Sequence, residues 1–130
     1  MKQHTTNYTD AFIAVSEDCP AQTAEIPPAK EPKSAARLEY DMLAEHPYQY
    51  TSDDVIYETK GKSKGISRED FFLKGQPCFR ASALTKRYGW GVHSDKDCKI
   101  ALYAMESQEY SRLVADVHVK QLTAMRNSRK

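Results

Sequence analysis

The alternation Tyr88-Gly-Trp-Gly-Val-His93 constrains the fold more than any other stretch of this 130-residue chain. Large and small side chains exchange at every step, which is the period of an extended strand. One face carries Tyr88, Trp90 and Val92; the other, with Gly89, Gly91 and His93, is nearly bare. Turn residues follow at Ser94-Asp-Lys-Asp97, and Lys99-Ile-Ala-Leu-Tyr103 is a second extended run, so a hairpin is expected here. A strand face bared by glycine must be filled by something that comes close to the backbone. A packed helix is the commoner filler and a ligand the rarer one.

The remaining elements can be placed around this hairpin. Asp10-Ala-Phe-Ile-Ala-Val15 reads as a mostly buried strand that stops at Ser16-Glu-Asp-Cys-Pro20. Residues 21–33 contain Pro27, Pro28 and Pro32 and form an ordered arm, because proline serves neither a helix interior nor a central strand. Ser34 caps a helix in which Ala35, Leu38 and Met42 share a face, and Pro47 ends it. Thr51-Ser-Asp-Asp54 then turns into a strand at Val55-Ile-Tyr57. Lys60-Gly-Lys-Ser-Lys-Gly65 is a flexible basic loop whose glycine spacing does not make a phosphate loop. Ser67-Arg-Glu-Asp70 approximates a capping box, with Ile66 and Phe71 as its staple, and opens a short helix. Cys78–Leu84 reads as another strand. Ser107 caps a last helix with Tyr110, Leu113, Val114 and Val117 on one face, a break near Asp116–Val119, and a final turn holding Leu122 and Met125. The expectation is a single α+β domain over residues 1–130, with a mainly antiparallel sheet of about five strands packed by two to three helices. A basic tail at 126–130 closes it.

Composition excludes several classes. Hydrophobic residues make up 40% of the chain, enough for a core without staples. No apolar run approaches the ~20 residues that span a bilayer. The first residues lack the pattern of a signal peptide, so a cytoplasmic protein with no membrane role is expected. Cys19, Cys78 and Cys98 lie far apart, which argues for free thiols. A zinc site from Cys78, Cys98 and His93 lacks the short ligand spacing such sites use, so neither metal nor cofactor is expected. Residues 1–54 hold four Lys/Arg against ten acids, and residues 55–130 hold fifteen against eight. Mutual packing of the halves is favoured over an exposed basic face. No nucleic-acid module is present, and nucleic acid is not the expected partner, although mixed aromatic and basic residues are what stacks a base.

Chemistry-bearing groups crowd between Lys74 and Ser94, which holds the only Trp, three of five Gly, four cations and one of four His. The leading expectation is a site for an anionic small molecule, carrying phosphate or carboxylate, formed by Arg80, Lys86, Arg87, Tyr88, Trp90 and His93. It requires an irregular connection at 84–87, so that the cations converge on a concave surface that includes His93. The alternative is an enzyme with Cys78 as nucleophile and His93 as base, since Lys74 and Arg80 would lower a thiol pKa. Against it, no helix N-terminus or oxyanion-hole signature follows Cys78, and cysteines are more often packed. A third class, a protein-interaction module, fits the proline arm. The pairs Asp53-Asp54 and Glu17-Asp18 read as caps and turns, and Tyr48, Tyr50 and Tyr57 as rings over the sheet with wet hydroxyls.

Six separated motifs appear in order: Thr5-Thr-Asn-Tyr8, Glu17-Asp-Cys-Pro20, Tyr50-Thr-Ser-Asp-Asp-Val55, Lys74-Gly-Gln-Pro-Cys78, Leu84-Thr-Lys-Arg-Tyr-Gly-Trp-Gly91 and Ser128-Arg-Lys130. Together they make the chain resemble domain-of-unknown-function family 6157 over nearly its whole length. The resemblance implies relatives but no activity. It departs at Asp97-Cys-Lys99, where the family tends to place Gly before the Lys, so Cys98 is a poor shared thiol.

Overall fold

A computed structural model of the chain describes residues 3–128. The last two residues of the basic tail lie outside these. Four strands form one sheet in the order β3-β2-β1-β4. They are β1 (Ala11–Ala14), β2 (Trp90–Ser94), β3 (Ile100–Ala104) and β4 (Lys120–Thr123). The expected hairpin is present, with β2 and β3 antiparallel and Val92 opposite Leu102. The Asp95 carboxylate shapes its turn by accepting the N–H groups of Asp97 and Lys99, each at 2.9 Å. Cys98 sits there at φ 66°, left-handed backbone that favours glycine. β1 pairs antiparallel with β2 and parallel with β4, so the sheet is mixed rather than wholly antiparallel.

Five short helices accompany it: α1 (Ala35–Glu45), α2 (Ser52–Ile56), α3 (Arg68–Phe71), α4 (Ala83–Lys86) and α5 (Gln108–Ala115). Side chains of Ser34, Ser67 and Ser107 accept N–H bonds at the expected starts of α1, α3 and α5. Three expectations are corrected. Val55–Tyr57 is not a strand: Thr51 and Asp54 cap each other's backbone reciprocally and start α2, which runs on as a π turn over Tyr57–Gly61. Cys78–Leu84 is not a strand either. The Cys78 sulfur accepts from the Arg80 N–H, and the Ser82 hydroxyl from the Leu84 N–H. These two local bonds make a 3-10 turn at Phe79–Ala81 and then α4. The connection at 84–87 is therefore mostly helical. Residues 120–123 are β4 rather than a helical turn, because pairing along β1 overrides a weak helical pattern.

The core lies between one sheet face (Ile13, Val92, Ile100) and the helices α1 to α4, which contribute Leu43, Val55, Ile56, Phe71, Phe72 and Leu84. Each such side chain contributes roughly 1.5–3 kcal/mol when fully buried. α1 turns Ala36, Glu39 and Leu43 inward, not the expected Ala35, Leu38 and Met42. Its inner face thus includes a carboxyl, Glu39, which is 2% exposed and accepts the Ser82 hydroxyl at 2.8 Å. Burial raises the Glu39 pKa above its ordinary value, against the Ser82 bond and the Lys60 charge.

The opposite sheet face carries α5. Tyr110 of α5 meets Phe12 of β1 edge to face at 5.1 Å, directly above Gly91. At Gly91 the bared strand face is thus filled by packing. The arm at 21–33 straps the same region from the side. Trp90 Nε1 donates to Glu25 O at 2.8 Å, the Glu25 N–H donates to Tyr88 O at 2.8 Å, and Arg37 donates to Pro27 O at 2.9 Å.

Candidate functional site

The register of β2 and β3 sets His93 opposite Ala101 and Gly91 opposite Tyr103. His93 and Tyr103 are therefore diagonal neighbours on the face that α5 partly covers. The third member comes from the chain leaving α1. Past Pro47, Tyr48 adopts φ 59°, and its N–H donates to Ile100 O at 2.9 Å on the outer edge of β3. This left-handed turn swings the Tyr48 ring over the hairpin. Its hydroxyl lies 2.8 Å from His93 Nδ1 and 2.7 Å from the Tyr103 hydroxyl. The row His93, Tyr48, Tyr103 lines a shallow, open cavity of about 290 Å³, flanked on the other side by Glu109, Arg112 and Leu113 of α5.

Electrostatics fix the charge states of the row. Burial lowers the His93 pKa below its ordinary value, although the carboxylates of Asp95, Asp10 and Asp116 oppose the shift. His93 is a neutral imidazole at pH 7. Burial, then the Tyr103 hydroxyl and the Asp95 charge, hold the Tyr48 pKa far above the ordinary phenol value, so Tyr48 stays protonated. One hydroxyl serving two partners couples their proton positions. When Tyr48 donates to His93 Nδ1, Nε2 carries the ring proton and Tyr103 donates to Tyr48. In the reverse order Nδ1 donates to Tyr48, Tyr48 donates to Tyr103, Nε2 becomes an acceptor and the Tyr103 O–H is left as a spare donor. The same row can therefore present a donor or an acceptor to a bound group.

The other residues singled out from the sequence go elsewhere. Arg80 Nε donates to Thr123 O at 2.7 Å, and Arg87 Nε to Asn127 Oδ1 at 3.3 Å. The Lys86 carbonyl accepts from Asn127 Nδ2 at 2.8 Å. The Arg80 and Arg87 guanidinium groups thus lie by the last strand and the segment after it, and none of the three residues lines the His93 cavity. Tyr88 lines a separate hollow with Pro28 and Pro32, and the Trp90 ring packs 5.4 Å from Tyr40. Cys78 Sγ contacts the Tyr8 hydroxyl at 3.5 Å. No hydrogen bond joins it to His93 among the described residues. Cys19, Cys78 and Cys98 are free thiols. No group of three His, Cys, Asp or Glu among the described residues is placed to hold a metal ion, and no helix is long and apolar enough to cross a membrane.

Two contacts join segments that carry four of the six motifs. Asp53 accepts from Thr5 Oγ1 at 2.6 Å and from Thr6 N and Oγ1 at 2.7 Å, while its own N–H donates to Asn7 Oδ1 at 2.9 Å. Asp18 accepts the N–H groups of Asn127 and Ser128 at 2.9 Å. With the Ser16 hydroxyl, these bonds hold its carboxyl well below the usual range. Arg126 pairs with Glu17 at 3.0 Å. These contacts fasten residues 5–7 and 126–128 to the body. A family model described as a family of unknown function (DUF6157) matches residues 3–130. The chain belongs to that family. No curated protein and no solved structure matches it. Within this DUF6157 member, Glu109 and Arg112 are cavity residues that the sequence did not single out, and Leu113 was expected only as part of the apolar face of α5. Their spacing of three and four along α5 was the available signal.

Proposed function

We propose that this chain binds a small molecule bearing a carboxylate or phosphate in the cavity between the β2–β3 hairpin and α5. What supports the reading is the hydrogen-bonded row of His93, Tyr48 and Tyr103 along one wall. A left-handed Tyr48 costs about 1–3 kcal/mol, and such strain clusters at functional sites. Arg112 on the facing helix has no acid in ion-pair range among the described residues and supplies the charge-assisted contact. Leu113 and the tyrosine rings suit an apolar or aromatic body. Arg80, Lys86, Arg87, Tyr88 and Trp90 have no part in this site. Binding is favoured over nucleophilic catalysis because the Cys78 thiol and His93 have separate partners.

Amide NMR titration with benzoate and phenyl phosphate tests the reading. Saturable shifts should centre on Gly91, His93, Tyr103 and Arg112. Arg112→Ala and Tyr48→Phe should each weaken binding by about tenfold, ~1.4 kcal/mol. Absence of saturable shifts around the cavity, or shifts that survive both substitutions unchanged, overturns it.

A further inference from the structure

A second concavity carries chemistry of a different kind. Lys60, Lys64 and Lys74 line a cavity of about 360 Å³ on the far side of α3, where Asp70 is the one acid in the wall. Ion pairs among the described residues join Lys62 to Glu58, Lys33 and Arg37 to Asp41, Arg68 to Asp54 and Arg126 to Glu17. None of them uses Lys60, Lys64 or Lys74. The buried Glu39 feels the charge of Lys60, which leaves Lys64 and Lys74 as the freer pair.

The frame holding these ammonium groups is built rather than loose, contrary to the flexible loop expected from sequence. Tyr57–Gly61 is a π turn and Lys62–Lys64 a 3-10 turn. Such π turns are frequent at functional sites. The Tyr57 hydroxyl donates to Ile66 O at 2.8 Å, the Ile66 N–H to Gly61 O at 3.1 Å and Ser63 Oγ to Thr59 O at 3.2 Å. A Cβ on Gly61 would stand 2.9 Å from the Phe71 ring, so only glycine lets this turn lie against α3. On the other side, Gln76 Nε2 donates to Phe71 O at 2.8 Å and fixes the segment that carries Lys74. The walls between the cations are Phe71 and Ile66.

We infer that this cavity is a second binding site, for a phosphorylated small molecule of about nucleotide size. The freer ammonium groups of Lys64 and Lys74, with Lys60 beside them, outnumber the one carboxylate of the wall and favour a dianion. The volume exceeds what inorganic phosphate needs and falls in the range of small-ligand pockets, ~300–1,000 Å³. Phe71 and Ile66 supply an apolar surface for the body that carries the phosphate.

Isothermal titration calorimetry with adenosine monophosphate and with inorganic phosphate, at low and at physiological salt, is the test. The probes are applied to the wild type, Lys64→Ala/Lys74→Ala, Asp70→Asn and Arg112→Ala. Lys64 and Lys74 are exposed, so the double variant should retain its circular dichroism spectrum and melting temperature. The expected result is saturable binding of the nucleotide, tighter than that of phosphate and weakened by salt. The binding component that the lysine double variant weakens at least tenfold should tighten in Asp70→Asn and persist in Arg112→Ala, which removes only the component that the His93 cavity contributes. The last arm separates this site from the His93 cavity. Equal binding by wild type and the lysine variant, no heat with either probe at millimolar concentration, or a short single-stranded RNA that outcompetes the mononucleotide overturns the proposal.

Discussion

Gly91→Ala measures how completely packing fills the bare face of β2. A Cβ at this position would lie 2.5 Å from Phe12 Cζ and 2.7 Å from Tyr110 Cε2. Ordinary carbon contacts begin near about 3.5 Å, so both rings must retreat by about 1 Å. Neither can do so cheaply. Phe12 is 0% exposed, and the Tyr110 hydroxyl is held by the Val15 N–H at 2.9 Å. Overpacking costs ~1–3 kcal/mol, and two trapped rings place this case at the upper end, about 3 kcal/mol. Replacing a strand glycine returns roughly 0.5–1 kcal/mol of chain entropy. The net loss is about 2 kcal/mol, or ~8 °C in melting temperature for a chain of this size. Urea unfolding followed by Trp90 fluorescence reads the change as a lower midpoint at unchanged slope. Phe12→Leu removes the atom nearest the new methyl and is destabilising alone through the cavity it leaves. The double variant should be at least about 1 kcal/mol more stable than the sum of the singles predicts. Strict additivity, or a Gly91→Ala protein as stable as wild type, refutes the claim that Phe12 and Tyr110 occupy this space.

Other substitutions probe the fastenings and buried charge. Asp53→Ala strips the three bonds from Thr5 and Thr6 and should cost about 3 kcal/mol or more, with faster amide exchange at residues 5–8; a loss under about 1 kcal/mol would show that these bonds hold little. Glu39→Gln keeps an acceptor for Ser82 while removing the ionisable group. Because the folded Glu39 pKa is raised, the wild type binds more protons folded than unfolded, and its stability falls as pH rises from the unfolded value, ~4.3, through the folded one. The variant's advantage should therefore be larger at pH 8 than at pH 4, and an equal difference at both, seen by calorimetry, would contradict the assignment. Cys98→Gly should raise the melting temperature slightly, since left-handed backbone at φ 66° costs a non-glycine residue ~1–2 kcal/mol and glycine's own entropy takes back only part; a clear decrease would mean that the Cys98 side chain contributes packing.

Local signals in the sequence were legible where one side chain acts on its own neighbourhood. Ser34, Ser67 and Ser107 start helices because each accepts a backbone N–H within three residues. The hairpin is readable because its alternation and its Asp95 turn are both local. Val55–Tyr57 misled because a short apolar run looks the same in a strand and a buried helix, although Thr51 with Asp54 already spelled a capping box. Residues 120–123 became a strand through the distant β1, which no local pattern reports. The site divides in the same way. His93 stood out from its strand, but its partner Tyr48 arrives by a left-handed turn 45 residues earlier. Arg80, Lys86 and Arg87 crowd in sequence, yet Arg80 reaches the end of β4 and Arg87 reaches Asn127, because helical turns rather than a strand carry residues 79–86.

The place of β1 in the sheet bears on how the chain is made. Ala11 pairs with Ser94 on one side and Lys120 on the other, so the strand at the centre is synthesised first and joined last. Until residues 90–94 emerge, Ala11-Phe-Ile-Ala14 has neither neighbour, and its second one waits for 120–123. Contacts so distant along the chain slow folding and prolong the exposure of apolar segments. During synthesis, Ala11–Ala14 is therefore an unpaired, fully apolar segment until residues 90–94 follow it.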